Sequence, residues 1–578
     1  MSRLSLALAP VLLLTSCRQD PPSDFGKLSD EFVYTNLSFS PSGATAAGLH
    51  EYNNRNLDEM LDDFSPAALD KQHKFHESFR NRLNALKPDA LAAEDRADLR
   101  ILQDEISLSL LDLDQIHMPL HNPTLYVETL GNALFSPYVL EYAPKPKRMR
   151  DIVARLKQVP AFLDQASLNL QSSPDIWTKV AVEEGEGNIA LVDKTIRAEI
   201  PGDLKQAYSQ AARSALDSMQ KFQNYLKTSL SVRNNWDWRL GHDRYVQKFR
   251  YTLEIGDDAD TVLSNAEKDL SRVRSRMFEI AQPLHRKMFP NEAVNDQDKV
   301  IREVLDKIAE RHATPASYME EAGKDLREAT DFVRAKHLLT LPARSNLQVI
   351  PTPEFMRGIY SVGGFSPAPT LEPQLGAFYW VTPIPQDWPK QRAESKLREY
   401  NFYKLKLLTM HEAIPGHYVQ GEFANDVQPK SRRVLRAISG NGPYVEGWAQ
   451  YATQMMLDEG FLDHSPELAL TFAKEELRVL ANAIIDVRLQ MLNMSDQEAL
   501  DLMEKQTFQE REEAEGKLQR AKLSSCQLPM YFVGWRSWLQ VREGYKKMKG
   551  AAYTLADFND KALAQGAVPL AVLGQLLE

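Results

Sequence analysis

From residue 30 to about 345, apolar positions recur at three- and four-residue steps. Ile152, Val153, Leu156, Val159, Phe162 and Leu163 form the clearest set. That spacing gathers them on one face of a helix. Pro160 lies inside the run and predicts either a kink or a fresh helix start there. Residues 101–111, 212–226 and 262–280 repeat the pattern. Residues 236–245 interrupt it with aromatic and turn residues, and no repeat of fixed period is visible. The pattern changes near Leu347. Prolines and glycines crowd residues 351–385, and beside and among them the runs 347–350 and 377–382 are rich in β-branched and aromatic residues. These two runs predict short strands. Helical periodicity resumes near Lys390 and continues to the end. The expected fold is mainly α: a large, two-lobed helical body with a central cleft and a small β-sheet just before the helix that leads into His411.

At 578 residues the chain is long enough to bury a large core. Its net charge of −10 and pI near 5.8 argue against a nucleic-acid binder, which needs a basic face. Arg3 followed by the apolar run 4–14 is a targeting segment, too short to span a membrane as an ordinary helix. It ends in Leu14-Thr15-Ser16-Cys17, which resembles a bacterial lipobox. The resemblance implies cleavage before Cys17 and lipidation of that residue. A plain secretory signal with an incidental cysteine stays open. Arg18 stands where an inner-membrane retention signal has Asp, so the expected location is the outer membrane, facing the periplasm. The expected organisation is a signal peptide over 1–16, a polar tether over 17–29, an N-terminal helical region over 30–345 and a catalytic region over 346–578. Within the last, a small sheet takes 346–388, metal-site helices 390–460 and further helices 461–578. Cys526 is the only other cysteine and reads as a small packing residue.

The residues that carry chemistry begin at His411-Glu412-Ala413-Ile414-Pro415-Gly416-His417. In the common H-E-x-x-H zinc signature the histidines are four apart on one helix face. Here they are six apart, a step that turns an ideal helix about 240° past a full turn. Either this is no metal site, or the helix is deformed between Ala413 and His417. Pro415 and Gly416 favour deformation. A catalytic zinc needs a third protein ligand, and Glu446 is the best candidate, in the first turn of a helix expected from about Val445. A glutamate placed there for the helix dipole is the competing reading. Glu412 points beside His411 and suits a general base. Asp486 reads either as a support for a ligand histidine or, with Arg478 and Arg488, as a surface ion pair.

Several blocks resemble a bacterial family of unknown function, family 885, regarded as candidate zinc metallopeptidases of gluzincin type. They are the 411–417 motif with Gln420, Glu446-Gly447-Trp448-Ala449, the 527–534 block containing Gln527 and Tyr531, the tail block 566–570, and Gly376-Ala377-Phe378-Tyr379. Many members carry a further His at position 418; Tyr418 here points to His417 as the second ligand. At Phe558-Asn559 members often have Phe-His, so that histidine is missing. The resemblance implies a helical, cleft-containing peptidase with one zinc ion on His411, His417 and Glu446. It also nominates Tyr531 as oxyanion donor, with a core aromatic as the alternative. Residues 376–382 then read as an edge strand contacting substrate through Gly376, Phe378 and Tyr379. The expected activity is zinc-dependent hydrolysis of short peptides in the cell envelope. A zinc amidase or esterase on a non-peptide substrate, and a non-catalytic peptide-binding lipoprotein, stay open. The sequence does not set oligomeric state or distinguish endo- from exopeptidase action.

Overall fold

Helices build most of the chain, as the periodicity predicts. The computed structural model describes residues 24–292, 294–357 and 362–578. The signal peptide and Cys17 lie outside them. The stretch read as a tether up to residue 29 is helical from Asp24, in a helix spanning Asp24–Ser38. Phe25, Phe32 and Val33 give that helix an apolar face, which packs in one cluster with Val434 and Leu435.

The helix Lys145–Asn169 buries all six positions of the 152–163 set and runs through Pro160. With Tyr126, Leu134, Ala212 and Phe222 they form a core from residues 61–230. The 262–280 run lies within a longer helix, Ala259–Met288, capped by the Asp258 carboxylate accepting the Thr261 N–H (2.8 Å). It belongs to a second, larger core that also contains Met410, Trp448, Ile484 and Trp538. That core crosses residue 345, so the compositional change there marks the sheet and not a border between cores.

The sheet has three strands: β1 (Leu347–Pro351), β2 (Gly363–Ser366) and β3 (Ala377–Val381). Their order is β1-β3-β2, with β3 parallel to β1 and antiparallel to β2. All five residues of β3 are buried, as befits a central strand covered on both faces. The Tyr379 hydroxyl lies 3.1 Å from Thr409 Oγ1, which ties the sheet to the helix carrying His411.

Candidate metal centre and its two cavities

Helix α1 (Phe402–Glu412) starts where the Asn401 side chain accepts the N–H groups of Tyr403 (3.0 Å) and Lys404 (3.3 Å). It stops at Glu412, because Ala413 leaves helical angles (φ −115°, ψ −95°). Residues 413–416 form a turn, and helix α2 (His417–Ala424) then begins. The interruption falls where the spacing demanded it. Pro415 has no N–H to continue the ladder. Gly416 is fixed by sterics: a Cβ there would lie 1.9 Å from the His411 carbonyl oxygen and 2.4 Å from that of Met410. The Trp448 indole N–H donates to the carbonyls of Pro415 (3.0 Å) and Gly416 (3.2 Å), the latter also accepting the Gln420 N–H (3.1 Å) as the first bond of α2. The two imidazoles end with centroids 4.8 Å apart and planes at 86°.

Helix α3 (Gly442–Asp458) supplies Glu446 and Trp448. Asn441 caps it, accepting the Tyr444 N–H at 2.9 Å. It starts three residues before the expected Val445, so Glu446 sits in the second turn and the dipole reading loses its basis. Three more helices close the site: α4 (Pro466–Met491), α5 (Arg511–Leu523) and α6 (Pro529–Lys549). Helices α3 and α6 meet backbone to backbone. A Cβ on Gly447 would lie 2.3 Å from the Gly534 carbonyl carbon, and one on Gly534 2.0 Å from the Pro443 oxygen. This contact brings Tyr531 of α6 to the site, its ring stacked 6.3 Å from that of His411.

Three donor atoms converge. Glu446 Oε2 lies 3.6 Å from His411 Nε2 and 3.4 Å from His417 Nε2. Both separations exceed an ordinary N–H···O bond of about 2.7–3.2 Å. Two ligands about 2.1 Å from a tetrahedral ion lie about 3.4 Å from each other. Glu446 Oε2 is also buried without a hydrogen-bond partner. Two nitrogens, one carboxylate oxygen and an open cavity side fit a catalytic zinc. Burial pushes the Glu446 carboxyl up, but the two facing imidazoles outweigh it and hold it well below its usual range. Burial pulls His417 down, and Glu446 with Glu412 outweighs that and raises it.

The support usual for a ligand histidine is missing. His417 Nδ1 is buried with no hydrogen-bond partner. Asp486 is elsewhere, fully buried, accepting the Tyr245 O–H (2.6 Å) and the Cys526 N–H (3.0 Å). It therefore neither orients a ligand nor forms a surface ion pair. Cys526 is fully buried, as a packing residue is. Arg488 does pair near the surface, with Glu267 at 2.6 Å, whereas Arg478 pairs in the interior with Glu513 at 2.5 Å. Asn559 is buried, accepting the Tyr451 O–H (3.0 Å) and donating to the Leu338 carbonyl (2.8 Å). A second cluster, His285, Glu292 and Glu303, already holds a cation: Lys299 Nζ lies 3.5 and 3.3 Å from the two carboxylates.

His411 and Glu412 lie between two cavities. A trough of about 740 Å³ also has His417, Glu446 and Tyr531 in its wall. Gly363, Gly364, Phe365 and Ser366 of β2 form one side of it. A recess of about 130 Å³ lies on the other side, walled by charged residues of α1, α4 and α5. Strand β2 spans both, since Val362 and Gly363 also line the recess. The substrate strand expected at 376–382 is thereby corrected. Strand β3 is central, with both edges paired, and Gly376, Phe378 and Tyr379 line neither cavity. Phe378 packs on Leu140 and Trp380 instead. The edge strand at the site is β2, which the glycine-rich sequence disguised as a loop.

Sequence reasoning also missed Arg520 and Lys517, both on α5. Arg520 donates to the Tyr531 hydroxyl (3.2 Å) and to Gln527 Oε1 (3.0 Å), and Gln527 Nε2 donates to the same hydroxyl (3.2 Å). The α5 sequence is charged all round and looks solvated. Only the order of basic residues at 517 and 520, one turn apart, hinted at a shared face.

A model of bacterial proteins of unknown function, DUF885, matches residues 41–577. The chain belongs to that family. Among curated proteins, none matches it. Two solved structures share the fold. A candidate lipoprotein of unknown function from Shewanella oneidensis is 28% identical, with a TM-score of 0.78, over 96% of this chain and 99% of that one. A candidate lipoprotein from Colwellia psychrerythraea is 18% identical, with a TM-score of 0.77, over 96% and 98%. The expected membership in a family of unknown function is thus upheld, and the 411–417, 446–449 and 527–534 blocks meet in space.

Proposed function

We propose that this protein is a zinc-dependent peptidase that hydrolyses short peptides in the bacterial cell envelope. One observation carries the reading: His411, His417 and Glu446, from three helices, aim three ligand atoms at a common point on the floor of a trough. A zinc ion held there would acidify a bound water and polarise a substrate carbonyl. Glu412 lines both cavities beside His411. In this reading it takes the proton of the attacking water and returns it to the leaving amine. The Tyr531 oxygen accepts N–H bonds from Arg520 and Gln527, so its own O–H is left to donate to the oxyanion. Burial, then the Glu446 charge, pushes that phenol up to about 12, which keeps it protonated. An extended peptide would pair with the outer side of β2, in the trough wall. This favours a peptide over other amides or esters.

The envelope placement draws support from the Shewanella structure, described as a candidate lipoprotein. Among the described residues no helix is long and apolar enough to cross a membrane. Attachment would then rest on lipid at Cys17, with Arg18 favouring the outer membrane. Loss of palmitate label in Cys17→Ala tests this.

The decisive experiment digests a peptide library beside a panel of esters and non-peptide amides. Wild type should cut peptides, lose activity to a chelator and regain it with zinc. Glu412→Gln should keep one zinc by elemental analysis and lose about 100- to 10,000-fold in turnover. Full activity in Glu412→Gln, or esters preferred over peptides, overturns the reading.

A further inference from the structure

The recess beside His411 holds three cations with partners. Lys404 contacts Glu475. Arg478 lies 2.5 Å from Glu513 and 3.6 Å from Glu475. Arg520 holds Gln527 and Tyr531. Lys517 differs. It is only 6% exposed, and among the described residues it makes neither a hydrogen bond nor an ion pair. A buried ammonium without a counter-ion is costly, and such groups are normally paired. Glu513 and Glu446 act on Lys517 only at longer range, against the like charges of Arg478 and Arg520. The recess therefore presents an amine without a close counter-ion, one helical turn from Arg520, and an entering carboxylate would favour its protonated form. It is small, about 130 Å³ against about 740 Å³ for the trough. Strand β2 leads into it from the trough, past His411 and Glu412.

We infer that the recess is a carboxylate subsite, in which Lys517 receives the anionic end of a peptide laid along β2. This rests on the peptidase reading and adds a substrate class to it: peptides with a carboxylate close beyond the scissile bond. The carboxylate comes either from a free C-terminus or from an acidic side chain. A free C-terminus suits the small recess better and would make the enzyme release short C-terminal pieces. Bringing the ion into the recess supplies the partner that Lys517 lacks.

The test compares matched N-acetylated tetrapeptides on wild-type protein: free acid, C-terminal amide, and amide with Asp or Glu in the last position. KM for the free acid should be at least about tenfold below that of the neutral amide, the range expected for a bond between two charged groups. If the acidic-side-chain amide behaves like the free acid, the subsite stands and reads the side chain. Equal KM for all three overturns it. Lys517→Met, which keeps most of the side chain and removes its amine, should bring the acid-to-amide ratio to about one. An unchanged ratio in that variant also overturns the assignment. If no peptide is cleaved at all, the peptidase reading has failed separately. Calorimetric binding of the same acid and amide then decides the subsite by the same ratio.

Discussion

The trough and the recess share His411, Glu412, Arg520 and Tyr531, and little else. The trough is walled by β2 backbone and small side chains such as Gly421, Ala424 and Ala567. Backbone pairing there would accept many sequences, because every residue offers the same N–H and C=O. The recess is walled by long charged side chains. On the proposed reading the two neighbouring spaces divide the work: one would fix the course of a chain, the other where the chain ends. The lysines teach the same lesson. Lys404 and Lys517 are both buried in the recess wall, yet only Lys404 has its carboxylate.

The largest effect should come from the turn that both cavities border. Gly416→Ala places a methyl group onto the His411 and Met410 carbonyls. It should destabilise by more than about 4 kcal/mol, the range of severe backbone and packing clashes, and abolish zinc uptake. Thermal unfolding and metal analysis read both. A folded, zinc-loaded Gly416→Ala protein would mean the interruption does not set the histidine geometry.

The lysine pair separates the two kinds of buried charge. Lys404→Met leaves Glu475 only the more distant Arg478 (3.6 Å) and should cost up to about 3–5 kcal/mol in urea unfolding. Lys517→Met strands nothing and should cost nothing or stabilise. Equal losses would show that Lys517 is paired like its neighbour.

The smallest effect is in the pH dependence of that difference. Burial, then the charges of Arg478 and Arg520, holds the Lys517 pKa well below the ordinary 10.5. Between the two values the unfolded chain binds the proton more tightly, so stability linked to Lys517 rises with pH and is lost as pH falls. Lys517→Met should therefore gain most near neutrality, and its advantage should shrink as pH approaches 10.5. A gain that grows with pH would contradict the assignment.

Much of this was legible in the sequence. The mainly α fold follows from the 152–163 and 262–280 periodicities, because a three-and-four repeat has one economical solution. The broken helix follows from Pro415 and Gly416, since a straight helix would send His411 and His417 to different faces. Glu446 was readable as a candidate because it follows a turn at the start of an expected helix, and the fold does bring its Oε2 to 3.6 Å and 3.4 Å from the two imidazoles. The edge strand was not. Gly363 is glycine because a Cβ would lie 2.4 Å from the Trp380 carbonyl, and in a bare sequence Gly363-Gly364 reads as a turn. The apolar run 377–381 looked more like a strand at the site, yet it is apolar because it is covered on both faces. Lys517 and Arg520 were hidden for the opposite reason. Charged helices usually face water, and only the packing of α5 against α4 and the helix Lys390–Glu399 turns this face inward.

Trp448 has one more consequence. Its indole N–H is held by the two carbonyls of the turn, and its ring lies 5.1 Å from that of Trp538 and 5.5 Å from that of Tyr451. An indole so placed is an internal lamp. Its emission and near-ultraviolet dichroism depend on whether the 413–416 turn keeps its shape. On the proposed reading, metal loading and peptide docking at this centre would change the contribution of this indole, one of eight in the chain, to that signal.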